Sequence, residues 1–244
     1  MTPESSEGLL WWSKTQSPKA YMSIRDADLY EELLLRLART KRDRPLEVVE
    51  WGSGRSTVWY TRFLDMLRVP YRWLVLEHDR SYFAKHVAPQ LSDRSNADVR
   101  MFEALPPELS SCFAPTGVHA VVFDAGPLDP RRQVGDRLVD LDDYVAVPAR
   151  LGRPIDLAIV DGRKRRRCVL AASALIRQGG YVILHDARRR QYQCAFPAFQ
   201  SGRHFGDDWW IGAQHETAFA DVVPWHGFLK PSDPPPGILP SGRG

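Results

Sequence analysis

Four apolar runs in this 244-residue chain each end in an acidic residue, and those residues could do chemistry. Leu46-Glu47-Val48-Val49-Glu50 leads through Trp51 into Gly52-Ser53-Gly54, and Tyr71–Leu76 leads into Glu77-His78-Asp79. Ile155–Val160 leads into Asp161-Gly162-Arg163-Lys164, and Tyr181–Leu184 into His185-Asp186. Two closely spaced glycines let the backbone turn tightly and approach a ligand, and a helix starting there offers unpaired N–H groups. A dinucleotide fingerprint needs a third glycine where this chain has Thr57. The carboxylate of Glu50 suits a cationic ligand group better than a pyrophosphate. A carboxylate such as Glu77, at the tip of a second strand, can accept both hydroxyls of a ribose. Asp161, Lys164, His185 and Asp186 are types that orient or deprotonate a substrate hydroxyl.

Those residues need elements to position them. Apolar residues at Leu29, Leu33, Leu34, Leu37 and Ala38 predict a helix within 26–40, and Pro45 closes it. Strands are expected at 46–50, 71–77, 98–102, 118–123, 155–160 and 181–184. Helices are expected at 56–67 (buried on Val58, Phe63, Leu64 and Leu67), 81–91, 139–151 and 164–177. The last is expected to bury Cys168, Leu170, Ala171, Ala174 and Leu175 and to end at Gly179-Gly180. Weaker strand signals fall around Trp209–Ile211 and Gly227–Leu229. Alternating strand and helix from 46 to 184 predicts an α/β fold: a doubly wound, mostly parallel sheet with helices on both faces. Ligands in such folds bind beyond the carboxyl ends of the strands. Neighbouring strands lie ~4.8 Å apart, so Asp161 and Asp186 are expected on one rim.

The order and spacing of these segments resemble the class I S-adenosylmethionine-dependent methyltransferases over roughly residues 45–190. Val48–Gly54 is similar to their first motif and Leu74–Asp79 to their second. The resemblance implies that Glu50, Gly52, Ser53, Gly54 and Thr57 surround the methionine part of the cofactor. It implies that Glu77 binds the ribose, that Glu103 and Ala104 flank the adenine with His78 near the ring, and that Asp161 contacts the cofactor. Asp161–Cys168 with His185-Asp186 resembles a bacterial group carrying D-G-R-x-R-x-x-C and H-D segments. Asp161, Lys164 and Asp186 also resemble part of the catechol-type O-methyltransferase pattern, with Ala187 where those enzymes have an Asn ligand. That resemblance implies a Mg²⁺ site on Asp161 and Asp186, with Lys164 taking the substrate's proton.

Val118–Asp124 competes for the place of fourth strand. Because a long helix and another strand follow Ile155–Asp161 directly, residues 118–150 are read as an extra strand or an insertion over the substrate pocket. The remaining organisation expected is a helical cap over 1–44, a cofactor-binding domain over 45–230 and a disordered Pro-rich tail over 231–244.

Arg163–Arg167 are five successive cations and Arg188–Arg190 three more, both on the expected rim. Arg163, Arg188 and Tyr192 are therefore expected to meet an anionic small-molecule acceptor, although such runs are as often solvated faces. Trp11, Trp12, Tyr21, Trp209 and Trp210 are further candidate pocket walls. The net charge of +3 by itself implies no nucleic-acid partner. An RNA methyltransferase using the basic rim, or a non-catalytic protein binding cofactor or a partner, are the competing readings. No apolar run approaches the ~20 residues of a membrane span, and the acidic N-terminus is unlike a secretory signal. Three scattered cysteines give no disulfide framework, so a cytoplasmic protein is expected.

Overall fold

The computed structural model describes residues 20–41, 43–102, 108–109, 113–124 and 139–216. In chain order the main elements are α1 (Ile24–Thr40), β1 (Leu46–Trp51), α2 (Arg55–Met66), β2 (Tyr71–Glu77), α3 (Arg80–His86), α4 (Ala88–Leu91), β3 (Ala97–Met101), β4 (Gly117–Val122), α5 (Asp142–Arg150), β5 (Ile155–Val160), α6 (Arg165–Ser173), β6 (Ile176–Leu184), α7 (Arg190–Gln193), β7 (Ser201–Phe205) and β8 (Trp209–Ala213). One eight-stranded sheet has the order β3-β4-β2-β1-β5-β6-β8-β7. The pairs among β1 to β6 are parallel, and β8 runs antiparallel to both β6 and β7.

Central strands buried on both faces read as near-continuous apolar runs, and β4 and β5 are buried at every position. Alternation divides the side chains between two layers. Val48, Val75, Ile159 and Ile183 pack with the stripe Leu29, Leu33, Leu34 and Leu37 of α1 and with Val58, Tyr60 and Leu64 of α2. Val49, Leu74, Ala158 and Val182 pack with Tyr144 and Val147 of α5 and with Cys168 and Val169 of α6. The first turn of α1 is closed by Ser23, whose hydroxyl accepts from the Asp26 N–H at 3.0 Å.

Several elements depart from expectation for identifiable reasons. The helix expected over 164–177 stops at Ser173, and Gly179-Gly180 lie inside β6 rather than ending a helix. A Cβ on Gly180 would stand 2.9 Å from the carbonyl oxygens of both Ile155 and Asp156, so this glycine permits close strand pairing where the β5–β6 register shifts. With the helix shortened, Val169 and Ala172 face the core and Leu170 is exposed. Leu67 follows α2 and is likewise exposed. Residues 117–122 form an extra strand, inserted between β2 and β3. Of the expected insertion, α5 belongs to the covering layer, where the Trp51 indole donates to the Tyr144 carbonyl at 3.0 Å. Trp209 and Trp210 are core residues of β8. Trp210 stacks on Phe196 at 4.2 Å and fills the space above Gly202 and Gly212. Residues 1–19, 125–138 and 217–244, with the strand signal at Gly227–Leu229, lie outside the described residues.

The chain runs outward from β1 through β2 and returns on the other side at β5, so the switch point lies between β1 and β5. There the turns after the two strands touch backbone to backbone. Gly52 adopts φ +98, and a Cβ on it would lie 2.5 Å from the Gly162 nitrogen. A Cβ on Gly162 would lie 2.1 Å from the Tyr144 hydroxyl and 2.8 Å from the Gly52 nitrogen. Gly162→Ala is therefore expected to cost about 1–3 kcal/mol in urea unfolding through overpacking. Gly152→Ala, with nothing within 4 Å of the added carbon, should cost only the ~1 kcal/mol of a left-handed alanine.

Candidate functional site

The carboxyl ends of β1, β2, β5 and β6 carry the acidic residues singled out in the sequence. Glu77 is 3% exposed. One of its oxygens accepts from the Ser53 N–H at 2.8 Å and the Ser53 hydroxyl at 2.6 Å. The other accepts from the N–H groups of His78 and Asp79 at 2.8 and 2.9 Å, with His78 Nδ1 also at 2.7 Å. Burial alone would raise the Glu77 pKa, but these bonds from His78, Ser53 and Asp79 hold it below the ordinary carboxylate value. Glu77 thus stays ionised and ties the glycine turn after β1 to the turn after β2.

Glu50 sits near the end of β1. It is completely buried, and its carboxylate accepts from the Ser56 and Thr57 hydroxyls and the Trp73 indole, each at 2.8 Å. Burial pushes its pKa up to about 7 against those three bonds. Thr57 is also buried, and its hydroxyl spans Glu50 and the Gly54 N–H, which donates at 3.1 Å. Both residues brace the 52–57 turn from behind.

Asp161 and Asp186 do converge, and a residue not singled out in the sequence holds them. The Arg165 guanidinium reaches the Asp161 carboxylate at 2.9 Å and the Asp186 carboxylate at 3.0 Å. It also donates to the carbonyls of Asp161, Gly162 and His185 at 2.8, 3.0 and 2.7 Å. Arg189 adds a second contact to Asp186 at 2.8 Å. His185 lies against Asp161, Nδ1 to Oδ1 at 3.0 Å. Burial would raise the Asp161 pKa, but the charges of His185 and Arg165 bring it down to about 2. Burial would lower His185, yet Asp161 and Asp186 lift it above its ordinary value. The Nε2 atom of His185 is buried without a hydrogen-bond partner among the described residues.

Lys164 and Asp186 occupy the left-handed region at φ 52 and 56. Such strained residues gather where the surrounding structure fixes them for a purpose. Lys164 precedes the first turn of α6. Tyr192 lies beneath Arg165, whose guanidinium carbon is 5.8 Å from the ring centre. Arg167 pairs with Asp142 at 2.6 Å, and Arg188 donates to the Asp207 carbonyl at 2.9 Å. Arg165, Arg167 and Arg189 of the basic rim thus neutralise the chain's own acids, whereas the Arg188 contact is to a main-chain carbonyl.

This donor set does not fit Mg²⁺ at Asp161 and Asp186. A hard divalent cation needs six oxygen ligands, and the position between these carboxylates is taken by a guanidinium. A second grouping, His185, Asp186 and Asp208, brings one ligand atom from each within 4.8 Å of the others, but it shares the doubly paired Asp186.

Beside the tip of β2 the inserted β4 places Phe123, whose N–H donates to the Glu77 carbonyl at 2.8 Å. The rings of His78 and Phe123 meet Tyr144 edge-on at 6.2 and 6.0 Å. The sequence signal for Phe123 was the run ending in Asp124, read as an insertion. Glu103 and Ala104 lie outside the described residues. No described helix is long and apolar enough to cross a membrane.

No family model and no curated protein matches the chain. Among solved structures it is similar to a methyltransferase-like protein from Silicibacter pomeroyi, at 20% identity over 84% of this chain and 94% of that one, with a TM-score of 0.52. A cofactor-bound protein from MTB matches at 16% identity over 85% and 88%, with a TM-score of 0.47. A TDP-rhamnose 3′-O-methyltransferase of calicheamicin biosynthesis matches at 13% identity over 88% and 97%, with a TM-score of 0.45. The first likeness establishes a shared fold, the Rossmann-like α/β architecture described above.

The clamp makes a direct prediction. Arg165→Met leaves two carboxylates without their shared cation and should cost about 3 kcal/mol at neutral pH. In wild type, Asp161 adds stability that is complete above its unfolded value of 3.8 and is lost as pH falls through about 2. Followed by carboxyl-carbon NMR, the Asp161 midpoint should move up toward 3.8 in the variant. An unchanged midpoint would assign the depression to His185 alone.

Proposed function

We propose that this protein is an S-adenosylmethionine-dependent methyltransferase acting on an oxygen of a small acceptor of sugar or phenol type. The observation that carries this reading is the Glu77 carboxylate at the tip of β2, fixed against Ser53 of the Gly52–Gly54 turn at the switch point. A nucleoside diol fits these residues. Its two hydroxyls can take the place of the Ser53 hydroxyl and N–H on Glu77, whose oxygens already accept five donors and have no lone pair to spare, and a Cβ on Gly54 would meet nothing closer than 3.6 Å. The edge-on rings of His78 and Phe123 supply flat apolar surface beside it for a base. When bound, S-adenosylmethionine supplies an electrophilic methyl group on a sulfonium.

The chain's own residues would then do two things. The 52–57 turn, stiffened from behind by Glu50 and Thr57, fixes the donor's position, and Arg163, Arg188 and Tyr192 meet the acceptor, so that orientation supplies much of the rate. His185 takes the acceptor's hydroxyl proton at Nε2. Asp161 accepts the Nδ1–H bond, which selects the tautomer with a lone pair on Nε2 and stabilises the imidazolium that forms. Arg165 keeps Asp161 ionised for that purpose.

Calorimetric titration is expected to give saturable binding of S-adenosylmethionine and S-adenosylhomocysteine but not of NAD, and Glu77→Ala should abolish it while the chain stays folded. Absence of binding to wild type would remove the reading. In the active enzyme the rate should rise with pH through an inflection above 6.5, because His185 must be neutral to accept a proton and its pKa is raised. In Asp161→Asn burial acts without the opposing carboxylate, and the inflection should move down. A profile unmoved by that substitution would remove His185 as the base.

A further inference from the structure

Resting on the proposed methyl transfer, we infer that its acceptor carries a phosphate group, held by the exposed arginines beyond the carboxyl ends of β5 and β6. Charge is divided unevenly around the rim. The donors on Glu50 and Glu77, beside β1 and β2, are hydroxyls, an indole, main-chain N–H groups and the His78 ring. A cationic sulfonium suits that side. Residues 161–190, by contrast, hold nine Lys and Arg against two Asp, in a chain whose net charge is only +3. The remainder of the chain is therefore net acidic, and the positive excess is local to this segment.

The two cationic runs meet. Arg165 and Arg189 reach the same Asp186 oxygen, at 3.0 and 2.8 Å, and α6 packs against α7. Arg165, Arg167 and Arg189 are answered there by Asp161, Asp142 and Asp186. Arg166, Arg188 and Arg190 are exposed, and none of them meets a carboxylate among the described residues. Arg188 gives its Nε to the Asp207 carbonyl at 2.9 Å, which leaves its terminal nitrogens for another acceptor. Arginines on other faces have acids of their own: Arg36 has Glu32, Arg94 has Asp65 and Arg100 has Asp98. A cation in the first turn of α6 opposes the helix dipole, so helix stability does not account for Arg166.

Several unmatched guanidinium groups on one rim call for an anion of more than one charge. A phosphate monoester carries about 1.5 to 2 negative charges at neutral pH, and its oxygens fit the planar fork of arginine. A lone carboxylate brings a single charge. Tyr192, half-buried beneath Arg165 at 5.8 Å, offers a flat face to the body of the acceptor. His185 belongs to the same clamp, its carbonyl accepting from Arg165 at 2.7 Å and its ring lying against Asp161 at 3.0 Å. A phosphate on the outer arginines and a hydroxyl at His185 can therefore belong to one small molecule. A nucleic acid strand would instead be tracked along its backbone by a longer cationic groove.

Glucose 6-phosphate is the probe, titrated at low ionic strength into the full isotope-labelled chain and followed by NMR. Saturable shifts at Arg166, Arg188 and Arg190 are expected, with a Kd on the order of 1 mM. Glucuronate should bind several-fold more weakly, and glucose should leave these signals unmoved. Arg166→Gln combined with Arg190→Gln should weaken glucose 6-phosphate at least tenfold. If that variant does not fold, the comparison of the three sugars on wild type decides alone. Equal binding of glucose 6-phosphate and glucuronate, or shifts spread equally over distant arginines such as Arg39 and Arg68, would overturn the assignment. So would an oligouridylate that binds the same rim a hundredfold more tightly, which would give the arginines to RNA. S-adenosylhomocysteine is titrated separately. Its failure to bind would remove the methyl-transfer reading and the acceptor with it, whereas failure of the sugar phosphate in a chain that binds S-adenosylhomocysteine would overturn the phosphate assignment alone.

Discussion

Two carboxylates at the ends of adjacent parallel strands repel unless a cation stands between them, and here that cation is Arg165. Its fork reaches Asp161 and Asp186 and three carbonyls of the same two turns. A lysine could supply the charge but not five directed donors in one plane. The residue that supplies the charge therefore also sets the geometry. With the β5 and β6 turns fixed, His185 is pressed against Asp161, and its Nε2 is buried without a hydrogen-bond partner among the described residues. The left-handed backbone at Lys164 and Asp186 is tolerated because the same contacts hold it.

The other half of the site is organised by the same economy of charge. Glu77 stays ionised although buried because its own turn and Ser53 give it N–H and O–H donors. Glu50 has fewer donors and deeper burial, and its pKa rises instead. Two acidic residues that look alike in sequence are thus held differently, one ionised between the turns after β1 and β2 and one bracing the 52–57 turn with a raised pKa. The halves meet where Gly52 and Gly162 touch, at a distance no side chain would allow.

The sheet was legible because fully buried parallel strands leave unbroken apolar runs, and the acidic residue after each run marked its carboxyl end. The convergence of Asp161 with Asp186 followed from strand adjacency alone. Other features had no local signature. Arg165 is one of five consecutive cations, and only the three-dimensional direction of its side chain separates it from solvated neighbours such as Arg166. The place of β4 between β2 and β3 depends on long-range pairing, so the neighbour of the β2 tip is Phe123. Gly179-Gly180 read as a helix stop because glycine ends helices more often than it permits close strand approach, as it does in β6. Trp209 and Trp210 carried no sign of whether they lined a pocket or filled the core.

In the proposed function Glu77 and Ser53 form the seat of a nucleoside cofactor. NMR titration with S-adenosylhomocysteine, following the amides that now donate to Glu77, tests it most directly. Saturable shifts at Ser53, His78 and Asp79 are expected, with smaller ones along Gly52–Gly54. Binding that leaves those amides unmoved, or no binding at all, would contradict the account.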